Sequence, residues 1–319
     1  MSVELVEVVR SGFRECVHRG SFVVLRPDGE IDIEVGRVHT PIFPRSCNKP
    51  MQAVAMLRNG FVPSSTAELA IASASHTGEQ THLALVRGLL ARHGLREEHL
   101  QCPADLPTNE FARAAVLTNG ARSKRIYMNC SGKHAAMLAT CVANDWPTDS
   151  YLQPGHPLQQ AVVDTIAELT GEPETELGID GCGLPIVPVS LVNLARAFAA
   201  LVTAAPESNE RAVADAIRAH PAVASGTDED DLTLMSAVAG LFCKAGADGV
   251  HAGALPDGTA FALKLDDGGE RARVPMTAAI LCRIGVDGGD VLTDLAARPV
   301  LGGGARVGTI RAIPGVLDL

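Results

Sequence analysis

The chain has 319 residues, 46% of them hydrophobic and 20% charged, the composition of a folded protein with a sizeable core and not of a disordered one. Its 37 acidic against 27 basic residues leave a formal charge of -10. That charge repels polyphosphate backbones and anionic lipid, so neither nucleic acid nor a membrane surface is expected as a partner.

The opening segment, MSVELVEVVRSGF, carries Glu4 and Glu7 inside its apolar stretch and has no basic start. It does not read as a secretory signal, and a cytoplasmic location is expected. Residues 21 to 43 hold two β-rich runs around Pro27-Asp28-Gly29, which predicts a hairpin. From about 50 to 245 the pattern is helical throughout, with Ala/Leu-rich stretches at 66–75, 80–93, 133–144, 156–170, 188–204 and 208–219. The most apolar window, 188–205, is interrupted by Asn193 and Arg196, so it reads as a core helix and not as a membrane span.

Strand character returns at 249–265, where Pro256-Asp257-Gly258 marks a second hairpin; a helix follows at about 271–285, and residues 306–313 alternate like one more strand. Unpaired strands leave backbone groups unsatisfied, so the strands of both chain ends are expected in one antiparallel sheet. The expected class is α/β (α+β) in a single unit spanning 1–319. Approximately 1–48 and 246–319 form the sheet subdomain, and approximately 49–245 a mainly helical subdomain inserted into it and packed on it.

Eight cysteines, at 16, 47, 102, 130, 141, 182, 243 and 282, are scattered without the spacing of a disulfide scaffold. Reduced thiols are expected, and any special cysteine points to metal or redox chemistry.

Pro44-Arg45-Ser46-Cys47-Asn48-Lys49-Pro50 contains Ser-x-x-Lys, whose two side chains share one face of a helical turn. Serine needs a base to accept its proton, and a lysine serves if desolvation or neighbouring cations lower its pKa. Pro50 is tolerated only in a first turn, so the helix must begin near Ser46, where free backbone N–H groups suit an oxyanion. The bland reading of the same residues is an N-cap serine followed by a solvated lysine.

Two small-residue clusters precede helices: Met128-Asn129-Cys130-Ser131-Gly132-Lys133-His134, and Gly178-Ile179-Asp180-Gly181-Cys182-Gly183-Leu184-Pro185. Such loops line sites, and they also serve as plain connections carrying buried thiols. Gly132-Lys133 is not a phosphate loop, because Tyr127 and His134 stand where glycine and a hydroxyl residue are required. Gly302-Gly303-Gly304 opens no helix after a strand, lacks the dinucleotide fingerprint and reads as a turn. Cys130 and Cys182 are candidate zinc thiolates, although no CxxC pair supports them, and a neutral Lys133 would be an unusual third ligand. Segment 71–79 concentrates hydroxyls before a helix; Ser75 is the candidate second serine, with Ser73 and Thr77 as alternatives, unless the segment is an N-cap cluster with His76 and Glu79 on the surface. Lys264, between Leu263 and Leu265 in a predicted strand, faces either a cleft or solvent.

Taken together, Ser46-Cys47-Asn48-Lys49-Pro50, Ser75-His76-Thr77-Gly78-Glu79, Asn129-Cys130-Ser131-Gly132-Lys133-His134 and Asp180-Gly181-Cys182-Gly183-Leu184-Pro185 resemble the rhizobial-type, thermolabile L-asparaginase II family, over about residues 5 to 315. The resemblance implies a fold similar to serine β-lactamases and glutaminases, with Ser46 and Ser75 as paired serines and Lys49 and Lys264 as their bases. It implies a metal, zinc, on Cys130, Lys133 and Cys182, with Asp180 holding the substrate's α-ammonium and Cys130, Cys182 and His76 beside the substrate. It further implies L-asparagine as small-molecule substrate and a homodimer. Glutaminase or another Ser-Lys amidohydrolase uses the same equipment, transpeptidases and β-lactamases being disfavoured by the missing export signal. A non-catalytic zinc or small-molecule-binding protein, or a dimeric scaffold without a pocket near Ser46, are the readings from other classes.

Overall fold

Ten strands form among the residues that the computed structural model describes, 2–172 and 176–318. They are β1 (Val3–Arg10), β2 (Phe13–Leu25), β3 (Ile31–Val35), β4 (Gly178–Ile179), β5 (Pro185–Ile186), β6 (Phe242–Gly246), β7 (Val250–Ala254), β8 (Ala260–Leu265), β9 (Ala297–Gly302) and β10 (Ala305–Ala312). Eight of these make one antiparallel sheet in the order β6-β7-β8-β2-β1-β10-β9, with β3 added beside β2. β4 and β5 pair separately.

The chain falls into two compact units. One, the sheet unit, comprises Met1–Cys47, Val189–Thr203 and Thr233–Leu319; the other, the helical unit, comprises Asn48–Pro188 and Ala204–Leu232.

In the sheet unit β2 joins the two ends of the chain. Its first half pairs with β1, from Val3↔Gly20 to Arg10↔Phe13, and its second half pairs with β8, from Gly20↔Leu265 to Leu25↔Ala260. β1 in turn takes β10 on its other edge, Val6 opposite Ala312. Both Pro-Asp-Gly segments turn hairpins as expected, β2 to β3 and β7 to β8, and the glycine run 302–304 turns β9 into β10. Residues Phe22–Leu25 are buried without alternation, which requires cover on both faces. Phe22 and Val24 share a cluster with Leu263, Met276 and Ile280, the last two from the helix Glu270–Arg283. The other face is covered by Leu191–Thr203, whose Phe198 ring stacks on Phe242 at 5.0 Å. Burying each such side chain contributes roughly 1.5–3 kcal/mol.

The expected helices are present at Thr66–Ala72, Gln80–Arg92, Ser131–Ala143, Pro157–Thr170, Leu191–Thr203 and Asn209–Ala219. Three differences stand out. The stretch 50–245 is not helical throughout: it includes the β4-β5 pair and most of the edge strand β6. The helix expected over 66–75 stops at Ala72, where the Ser73 hydroxyl turns back to the Leu69 carbonyl at 3.0 Å. β1 and the first half of β2 were not anticipated, because their exposed positions carry Glu4, Arg14, Glu15 and Arg19, which pair across the strands and dilute the apolar signal. No helix of the described residues is long and apolar enough to cross a membrane.

Candidate active site

In the helical unit, Lys49 opens the helix Lys49–Arg58, and Pro50 falls in its first turn, where the missing N–H costs nothing. The α-helix begins at Lys49 and not at Ser46, which lies in the preceding 3-10 turn, Arg45–Asn48. Lys49 has no exposed surface, so the solvated-lysine reading fails. Its Nζ donates to the Ala74 carbonyl at 2.7 Å and to the Ser75 hydroxyl at 2.8 Å. Of the three candidate hydroxyls, Ser75 is thus the one carried to the amine. Ser73 is committed to Leu69, and Thr77 donates to Glu79 at 2.6 Å.

The Ser75 loop is held from several sides. The Ser75 N–H reaches the Ala224 carbonyl and the His76 N–H the Asn129 carbonyl, both at 3.1 Å. His76 is buried, not on the surface. The Ser131 hydroxyl donates to the Ile126 carbonyl, so it accepts from His76 Nε2 at 2.8 Å, while His76 Nδ1 accepts from the Gly78 N–H. That pattern requires the neutral imidazole with its proton on Nε2. Burial, together with His82 and Lys49, holds the imidazole well below its usual pKa. Both ring nitrogens of His76 are therefore engaged in holding the loop.

Cys130 caps the helix Ser131–Ala143, and Cys182 lies in the turn between β4 and β5. The start of that helix sits against the helix Thr66–Ala72 because residue 132 has no side chain: a Cβ there would overlap the Ile71 carbonyl. Lys133, one residue on, is 1% exposed and donates to Cys182 Sγ at 3.3 Å; Cys182 Sγ lies 3.6 Å from Asp180 Oδ2. Cys130 Sγ lies 2.9 Å from the Asn129 side-chain amide. Cys130 is drawn well below the ordinary thiol range, by its hydrogen bond to Cys182 and, against the cost of burial, by Lys49 and Lys133. The same hydrogen bond and burial push Cys182 up. Burial acts to lower Lys133, but Cys182, Cys130 and Asp180 outweigh it and hold the amine above its usual value.

Two sulfurs and one nitrogen, all buried, with Cys182 bonded to both Cys130 and Lys133, fit a soft divalent metal such as zinc, which accepts thiolate and nitrogen ligands and leaves a position open when three protein ligands bind it. Sequence reasoning did not reach what lies beneath them. The Tyr151 hydroxyl accepts the Gln101 N–H at 3.0 Å and donates to His134 Nδ1 at 2.8 Å, leaving His134 Nε2 buried with no hydrogen-bond partner. His134 was visible in its motif; Tyr151 carried no local signal.

In the sheet unit, Ser46 is partly exposed in its 3-10 turn, and Lys264 is half-buried on β8. Lys264 Nζ donates to the carbonyls of Asp248 and Leu265. Burial lowers the amine's pKa, against the pull of Asp248, Asp266 and Asp267. It lines a cavity of about 420 Å³ with Ile42, Phe43, Arg45, Asp248 and Asp266 among the other walls. Lys264 therefore faces a cleft.

A sequence model described as L-asparaginase II matches residues 6–312. No curated protein matches the chain.

Proposed function

The chain belongs to the L-asparaginase II family, and from that premise we propose that it hydrolyses the side-chain amide of L-asparagine to L-aspartate and ammonia, with Ser46 as nucleophile. Family membership makes it a hydrolase acting on amides, with a small-molecule substrate. The observation that carries the finer reading is the buried amine of Lys49, at the start of the helix that follows Ser46, bonded to the hydroxyl of the partly exposed Ser75.

Ser46 Oγ attacks the carboxamide carbon while its proton passes to Lys49, which lies three residues on in the same turn-to-helix segment. Backbone N–H groups near Ser46 and on the Lys264 strand hold the oxyanion. The carbon–nitrogen bond then breaks as a protonated lysine donates to nitrogen, because an amide anion does not leave unaided. Ser75 and Lys264 relay the protons. Water, activated by the same amines, cleaves the aspartyl ester and restores Ser46. Asp180 pairs with the substrate's α-ammonium.

Cys130, Cys182 and Lys133 would hold zinc, which supplies a fixed positive charge to shape the pocket. His76 fixes the Ser75 loop. A fold similar to serine β-lactamases and glutaminases, a homodimer and a cytoplasmic location belong to the same proposal.

The test is ammonia release by purified protein from L-asparagine and L-glutamine in parallel, repeated with Ser46→Ala. Release from asparagine that vanishes in the variant supports both reaction and nucleophile. Preferential release from glutamine makes the protein a glutaminase, and no release from either, with zinc supplied, leaves a binding protein.

A further inference from the structure

Arg45 and Asp248 both hold left-handed backbone without being glycine, at φ 52° and 57°. Arg45, a bulky residue, keeps that conformation only where its surroundings impose it, whereas Asp248 takes it readily before Gly249 in a hairpin turn. Arg45 immediately precedes Ser46, and Asp248 lies in the turn between β6 and β7. The Arg45 guanidinium donates to the Asp248 carboxylate, so the strained Arg45 is tied to the β6-β7 turn. The backbone carbonyl of Asp248 also accepts the Lys264 ammonium.

The rest of the Ser46 segment is fixed to β6. The Cys47 thiol donates to the Lys244 carbonyl at 2.9 Å. Gly246 admits the Pro44 carbonyl, which would stand 2.7 Å from a Cβ at that position. On the residue immediately before Ser46, the Arg45 guanidinium reaches across to the Asp248 carboxylate of the β6-β7 turn.

An exposed ion pair by itself contributes little to stability, and the Asp248 carboxylate is 60% exposed. Its significance lies in what it connects: one end of Asp248 holds the residue before Ser46, the other holds the Lys264 amine, and all three line the same 420 Å³ cavity. We propose that Asp248 is a positioning residue for the reaction described above, setting the backbone that presents Ser46 through Arg45 and the Lys264 amine through its own carbonyl. This rests on the roles given there to Ser46 and Lys264.

The charged groups facing Lys264 are Asp248 from the β6-β7 turn, Asp266 and Asp267 from the end of β8, and Arg45 from the Ser46 segment. Of these, Asp267 is also bonded to His18 at 2.6 Å. Removing the Asp248 charge takes away one group that favours the ammonium, so the limb of the pH profile set by Lys264 moves to lower pH.

The experiment compares wild type, Asp248→Ala, Asp248→Asn and the charge swap Arg45→Glu with Asp248→Arg. Asparagine tolerates left-handed backbone, so Asp248→Asn tests the charge even if Asp248→Ala does not fold. The first readout is the rate at which a fluorophosphonate labels Ser46, followed by intact mass over a range of pH; the second is kcat and KM for asparagine. Labelling about tenfold slower in both single variants, with KM within about twofold of wild type, is the expected result. The swap should regain most of the rate. Single variants labelled at the wild-type rate and pH profile overturn the proposal. Wild type labelled at Ser46 but releasing no ammonia overturns the asparaginase reading alone, and the labelling rates still decide the role of Asp248. Wild type not labelled at Ser46 overturns both.

Discussion

The amine of Lys49 donates to the Ser75 hydroxyl across 2.8 Å and to the Ala74 carbonyl across 2.7 Å, with no part of the lysine exposed to water. An amine so placed orders the loop as well as the proton path. Ser75→Ala should leave the fold intact and lower kcat by about two orders of magnitude with little change in KM, the scale of a lost proton-transfer partner. Steady-state ammonia release with thermal melting as the control measures it; a wild-type kcat removes Ser75 from the mechanism.

Zinc uptake should release protons. Lys133 and Cys182 are both held above their ordinary pKa values, so each must lose a proton before it can ligate. Affinity therefore rises with pH, because fewer protons remain to be displaced. Calorimetry in two buffers of different ionisation enthalpy reads the proton count directly. Cys182→Ser should reduce bound zinc, measured by elemental analysis, while circular dichroism stays unchanged; full zinc occupancy in that variant rules out this ligand set.

Acid should destabilise the helical unit before carboxylates titrate. His76 and His134 are buried, and burial is the first cause holding each well below the usual imidazole value. The folded state thus stays neutral as pH falls below about 6.5, while the unfolded chain takes up protons, so stability is present above that pH and declines beneath it. Each group costs about 1.4 kcal/mol per pH unit until its folded value is reached. Melting curves from pH 7.5 to 5.0 should show the decline, and His134→Gln should flatten it. A melting temperature indifferent to this range would contradict the buried neutral pair.

Gly132→Ala should destabilise the protein by about 1–3 kcal/mol, since the added methyl overlaps the Ile71 carbonyl of an adjacent helix and one helix must shift. Denaturant unfolding measures the loss. The shift would also move Cys130 and Lys133, so zinc affinity should fall with it, whereas Gly88→Ala, inside the helix Gln80–Arg92 where a Cβ meets nothing within 4 Å, controls for a general glycine effect.

Much of this was legible in the sequence. The two Pro-Asp-Gly turns carry their own conformational requirement and marked their hairpins wherever the strands pair, and the Ala/Leu helices announced themselves by period. β6 was not legible: five residues, Phe242–Gly246, are too few to show an alternation that distinguishes them from a helix end. The burial of Lys49 and Lys133 could not be read from local pattern, because lysine is ordinarily exposed and partners distant in sequence, Ala74 and Ser75 for one and Cys182 for the other, make their burial tolerable. Arg45 and Asp248 are 203 positions apart, and nothing in either neighbourhood points to the other.

The pairing of β1 with β10, Val6 opposite Ala312, governs the order in which this protein can be made. During synthesis β1 emerges before the helical unit and its outer partner β10 after it, so that edge must wait while the whole helical unit emerges. Contacts this distant in sequence close slowly, and an open strand edge invites other chains meanwhile. The nascent protein is thus most vulnerable to aggregation in the interval before β10 emerges, and its reliance on chaperones should peak there.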